Sequence, residues 1–150
     1  MNIFATSPDP RLCAQDLDDK RVVKMTLETG QIISTARHLL GLPAPYKPTH
    51  QNHPCVLWAL NEVHMQWLLR LLIALSEEYN YRFNKSHKTG ETMAELLPAG
   101  WEHETPNYFV NCTTFQDLPV HEAYKRYLCW KWIGDKRVPV WTRRGQPRWR

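Results

Sequence analysis

The run DDKRVVKMTLETGQIISTARHLL, residues 18–40, sets the architecture of this chain. Placed at 100° per residue, Val22, Met25, Thr26, Thr29, Ile32, Ile33, Ala36 and Leu40 fall on one apolar arc, which predicts an amphipathic helix lying on a core. Asp18 and Asp19 offer an N-terminus, and Gly41-Leu42-Pro43 ends the run. Arg21, Lys24, Glu28, Gln31 and Thr35 follow one another at spacings of three, four, three and four, so a polar stripe borders the apolar arc. That position suits the wall of a half-buried cleft, where partly desolvated charges interact more strongly than in water.

Working outward, Asp9-Pro10 reads as a capped helix start, with a short helix to about Leu17. Residues 42–53 hold three prolines and no sustained period, which predicts a loop. Pro54 opens a further helix, with a break near Asn61 and continuation to about Asn84. Its face of Val63, Trp67, Leu68, Leu71, Leu72 and Leu75 makes it the central helix. A short helix is expected over Glu91–Leu97. The aromatic stretch 100–118 is irregular, with Tyr108-Phe109-Val110 the one candidate strand. Pro119 starts a last helix that ends near Ile133-Gly134. The expected fold class is mainly α: a single compact domain of about five helices over residues 1–134, with a basic arm at 135–150 packed on it or extending from it.

With 150 residues, 43% of them hydrophobic, the chain can bury one core of ordinary size. The greasy stretch Trp67–Leu75, interrupted by Arg70, falls far short of the roughly 20 apolar residues that cross a bilayer. The N-terminus lacks a basic region followed by an apolar run, so a cytoplasmic protein without membrane association is expected. Cys13, Cys55, Cys112 and Cys129 form no Cys-x-x-Cys pair, and free thiols are expected. The net charge of +4 is concentrated at one end: from Lys131 onward seven Lys or Arg face only Asp135. Trp132, Trp141 and Trp149 alternate with these cations. Rings stack on bases and guanidinium groups neutralise phosphate, so Arg137, Trp141, Arg143, Arg144 and Trp149 are candidate nucleic-acid contacts, DNA being favoured.

Two further groups carry candidate chemistry. Lys24, beside Arg21 and apolar neighbours, could lose its proton and act as a nucleophile, with Glu28 moving protons and Arg21 and Gln31 positioning; a solvated helix face is the alternative. Tyr46, Lys47, Thr49, His50, Asn52 and His53 offer donors to a phosphate or base from a loop that proline stiffens. His50, His53 and Cys55 are metal-ligand types, but they lie within six residues and lack a fourth partner, so no metal or cofactor is expected.

The segments Met1-Asn2-Ile3-Phe4, Leu17 to Met25 with Leu27-Glu28-Thr29 and Gln31, and Tyr46-Lys47-Pro48-Thr49-His50 with Asn52-His53-Pro54-Cys55 resemble small bacteriophage-type proteins labelled pyrimidine-dimer DNA glycosylases. The resemblance implies a compact helical enzyme that flips a nucleotide, attacks the sugar C1′ with its N-terminal α-amine, uses an early-helix glutamate, and cleaves the backbone by β-elimination. It makes Glu28 the carboxylate and Arg21 and Lys24 its cationic neighbours. Because Met1 stands before the bulky Asn2 and Glu28 comes about one turn later than the family's glutamate, Lys24 is the preferred amine and the Met1 amine the alternative. The expected function is a DNA glycosylase, with abasic-site lyase activity, acting on damaged or modified bases. A base- or nucleotide-modifying transferase and a non-catalytic nucleic-acid-binding protein are the alternatives.

Overall fold

A computed structural model describes residues 1–150. It contains no strand, and its helices are α1 (Pro10–Asp16), α2 (Asp19–Leu39), α3 (Pro54–Trp58), α4 (Glu62–Phe83), α5 (Lys88–Thr92) and α6 (Val120–Gly134), with a 3-10 turn at Ala94–Leu96. The mainly α expectation holds, with one more helix than expected. The candidate strand at Tyr108–Val110 does not form: Trp58 Nε1 donates to the Tyr108 carbonyl, and Phe109 packs edge-on against Trp67. The helix expected over Glu91–Leu97 begins earlier because the His87 ring caps it, accepting from the Thr89 amide.

The central helix is α4, against which both α1 and α2 pack. Its sequence explains this. Trp67, Leu68, Leu72 and Leu75 are fully buried, and Ile32 and Ile33 of α2 and Cys13 and Ala14 of α1 join the same core. Asn61 starts α4 by accepting from the amides of Val63 and His64, and Asn84 ends it at φ 54°, in the left-handed region that asparagine tolerates. No helix is long and apolar enough to cross a membrane.

The first nine residues precede α1 without helix, bending over residues 6–9, and Asn2 to Thr6 are buried. Asn2 organises them. Its Oδ1 accepts from the Ile3 and Phe4 amides, while its Nδ2 donates to the Cys112 carbonyl at 3.0 Å. Phe4 has φ 40°, a conformation costing a non-glycine residue about 1–2 kcal/mol, and is held by stacking on Tyr127 and edge contact with Tyr124 of α6. His121 adds a hydrogen bond to the Ala5 carbonyl. The N-terminal segment is therefore a buried strut between the helices, and its first residue cannot wander.

The basic arm is packed on the helices. Trp132 donates to Asp18 and Trp141 to the Asp16 carbonyl, and Trp149 stacks on Trp132 with centroids 5.7 Å apart. Asp19 accepts from the amide and hydroxyl of Thr142. Arg21 bridges Asp18 and Asp135, binding the latter through two nitrogens at 2.8 and 3.1 Å. Arg144 reaches Glu78, which also holds Arg82 at 2.7 Å. The Arg82 side chain is 0% exposed and that of Glu78 4%, so both charges have left water and depend on one another.

Two outcomes follow from these pairs. Glu78→Ala leaves Arg82 buried with one partner fewer and is expected to cost about 3–5 kcal/mol in urea unfolding. Arg21 holds the Asp135 carboxyl below the usual carboxylate range. Its contribution is present at neutral pH and is lost as pH falls through and below about 4. Wild type and Asp135→Asn should accordingly differ in Tm at pH 7, and the difference should shrink as pH falls below about 4.

Candidate active site

Glu28 lies on α2 where the apolar arc gives way to the polar stripe, and its Oε1 sits 3.0 Å from the α-amine of Met1. The Met1 side chain is 2% exposed although the residue as a whole is only half-buried, so what solvent reaches at this residue is its main chain. The side chain is an anchor in the core, and solvent reaches only main-chain atoms. Glu28 is itself 16% exposed, and its second oxygen, Oε2, is buried without a hydrogen-bond partner. A carboxylate oxygen in that state retains acceptor capacity for an incoming group.

The proline-rich loop is tied to the flank of the same helix. The Tyr46 amide donates to Ser34 Oγ, the Thr49 amide to Thr35 Oγ1 at 3.0 Å, Arg37 to the Pro43 carbonyl, and His38 to the Tyr46 carbonyl. Tyr46 turns inward, its hydroxyl donating to Thr89. It passes over Gly30, where an added Cβ would lie 2.7 Å from Thr89 Cγ2 and 3.2 Å from the Tyr46 ring. Glycine in mid-helix is what lets loop and helix approach so closely two residues beyond Glu28. Lys47, His50 and Asn52 remain exposed, His50 at φ 51° with its ring against Thr49 Oγ1.

His53 closes the loop. Its Nδ1 accepts from the Cys55 amide and so caps α3. Burial, the Met1 ammonium and His50 together lower its pKa, Glu28 acting in the opposite sense. Cys55 Sγ lies 3.4 Å from Cys112 Sγ. That hydrogen bond and then burial push the Cys55 thiol up, while the same bond lowers Cys112. Cys112 is held from both sides of its peptide unit, its amide donating to the Tyr124 hydroxyl and its carbonyl accepting from Asn2.

The family model for pyrimidine dimer DNA glycosylase matches residues 1–90. The chain belongs to that family. No curated protein and no solved structure matches it. The matched span contains Met1, Glu28 and the loop through His53. A glycosylase of this family has DNA as its partner.

The expected site residues fare differently. Glu28 meets the α-amine, and His53 on the loop has its pKa lowered by burial and the Met1 ammonium, with Glu28 acting in the opposite sense. Gln31 is half-buried one turn along. Lys24 is exposed, without an ion pair or hydrogen bond, so the desolvation that was to activate it is absent. Arg21 is committed to Asp18 and Asp135 and serves the arm. Among the expected nucleic-acid contacts, Trp141 and Trp149 are packed indoors, Arg144 is held by Glu78, and Arg143 lies over the Tyr81 ring at 4.7 Å, leaving Arg137 fully open. Aromatic residues alternating with cations fit this packing as well as they fit nucleic acid, because Trp141 and Trp149 find Trp132, Arg144 a carboxylate and Arg143 a π-face. Cys112 was not foreseen: 57 residues separate it from Cys55, and no local pattern marks it.

A concavity of about 830 Å³ lies elsewhere, between the start of α2 and residues 134–140. Its carboxylates Asp18, Asp19 and Asp135 are already engaged by Arg21, Arg82, Trp132 and Thr142, which makes it the seam beneath the arm.

Helix propensity alone favours alanine over glycine by about 1 kcal/mol. Gly30→Ala is nevertheless expected to destabilise the protein by about 1–2 kcal/mol, because overpacking against Thr89 and Tyr46 outweighs that gain. Chemical denaturation gives the sign, and increased protease cleavage within residues 42–53 would locate the displaced loop.

Proposed function

We propose that the protein is a DNA glycosylase with abasic-site lyase activity on damaged or modified bases, in which the α-amine of Met1 is the nucleophile and Glu28 the proton-transfer group. The 3.0 Å amine to carboxylate contact carries this reading. An ammonium is not a nucleophile; the neighbouring carboxylate can accept its proton as the nitrogen approaches a sugar carbon. The nitrogen then bonds to C1′, the C1′ to base bond breaks, and the base leaves with the bonding electrons and takes up a proton. After the nitrogen loses a proton its lone pair expels O4′ from C1′; the sugar ring opens, O4′ takes up a proton, and a protonated imine forms. Removal of a C2′ proton expels the 3′ phosphate by β-elimination.

Lys24 is the weaker candidate for the nucleophile, because an exposed lysine is neither desolvated nor oriented. Lys47, Thr49, His50 and Asn52, on the rim next to His53, would hold phosphate or the displaced base. A nucleotide must leave the stack to bring its C1′ to an amine anchored by a buried side chain.

Borohydride reduction of the imine makes this measurable. Wild type should form a covalent adduct with abasic duplex, mapping to the N-terminal peptide. Glu28→Gln should lower the trapping rate by about 100-fold or more. Lys24→Ala should trap within about twofold of wild type, as expected for an exposed side chain outside the chemistry. A short Gly-Ser extension before Met1 should abolish trapping while DNA binding persists. An adduct mapping to Lys24, or retained in the extended protein, would overturn the assignment.

A further inference from the structure

His53, Cys55 and Cys112 each present one ligand atom, and these atoms lie within 4.8 Å of one another. We propose that they form a binding site for a single thiophilic divalent cation of the zinc class, with three protein ligands and one open position beside the Met1 amine. A zinc to sulfur bond of about 2.3 Å in a tetrahedron sets the two sulfurs about 3.8 Å apart. The thiols stand at 3.4 Å, joined by an S–H···S contact, so binding requires them to separate by only a few tenths of an ångström. The imidazole must close by about 1 Å, a side-chain movement from the rim of a loop.

The ligands are already positioned. Cys112 is fixed through its amide by Tyr124 and through its carbonyl by Asn2, and Cys55 is fixed at the first turn of α3. Imidazole ligates in its neutral form. On binding, each thiol loses its proton to solvent. Two thiolates and a dication make a neutral unit, which can lie beside the Met1 ammonium without the repulsion a bare cation would meet. Cys13 and Cys129 lie outside the cluster, which gives the test its internal control.

The inference is independent of the imine chemistry, and its experiment involves no DNA. Purified full-length protein, kept reduced with a phosphine and freed of metal, is titrated with cobalt(II). The expected result is one equivalent bound per chain, with an intense sulfur-to-cobalt charge-transfer band in the near ultraviolet and visible bands of tetrahedral strength. Zinc should displace them. Cys112→Ser, Cys55→Ser and His53→Ala should each weaken binding by more than the roughly 10–100-fold that outer partners of a metal site contribute. The double variant Cys13→Ser, Cys129→Ser should bind as wild type. Circular dichroism establishes that each variant is folded, and Cys112→Ser, at a half-buried loop position, serves if Cys55→Ser is not. The absence of a charge-transfer band in wild type, or its survival in folded Cys112→Ser, would overturn the site.

Discussion

Keeping a charged amine at 3.0 Å from a carboxylate, at the edge of a dry interior, is the constraint that the remainder of the structure serves. At an effective dielectric constant near 20 the direct attraction at that separation is about 5 kcal/mol, and desolvation of both groups offsets much of it. The pair persists because its ends are held independently. Glu28 rides on a 21-residue helix packed along α4, and Met1 is the tip of a segment whose next residues are buried. Asn2 is central to this: one side chain satisfies two amides of its own strut and a carbonyl more than a hundred residues away. The strained Phe4 backbone is tolerated in the same way, by aromatic packing from α6.

The second half of the chain supports the first. Residues 91–150 lie outside the family match, yet they supply Tyr124 and Tyr127 against Phe4, the Cys112 carbonyl for Asn2, the Trp132 and Thr142 hydrogen bonds to Asp18 and Asp19, and the Arg144 ion pair to Glu78. Arg21 and Arg82 already balance charge on these acids, and the arm completes their hydrogen bonding. Arginine and tryptophan suit the task because each covers apolar surface while presenting a polar edge. A tail rich in both can therefore act as an internal strap as readily as a handle for nucleic acid.

Much of the helical framework was legible because it rests on local rules. The apolar arc from Val22 to Ala36, the leucine face of α4, the Asp9-Pro10 and Asn61 starts and the Gly41-Leu42-Pro43 stop are periodicity and capping, which act over a few residues. Glu28 could be singled out for the same reason, since its place at the border of core and solvent follows from helix geometry. The identity of the amine could not be found that way. Lys24 has a fitting pattern around it, but one further turn of angle points it into water, whereas Met1 reaches Glu28 only through the path of the folded strut.

The sequence by itself determined an all-helical chain with an acidic residue at a cleft edge, a proline-stiffened loop and a cationic end, because these depend on the chemistry of neighbouring residues. Only the tertiary structure decided that the terminus meets Glu28, that Cys112 joins His53 and Cys55, and that the arm is tied down through Thr142 to Asp19, Arg144 to Glu78 and Asp135 to Arg21. Contacts of that kind join residues tens of positions apart, and no local pattern encodes them. They exist once the burial of α4 against α1 and α2 has fixed where each end of the chain can go.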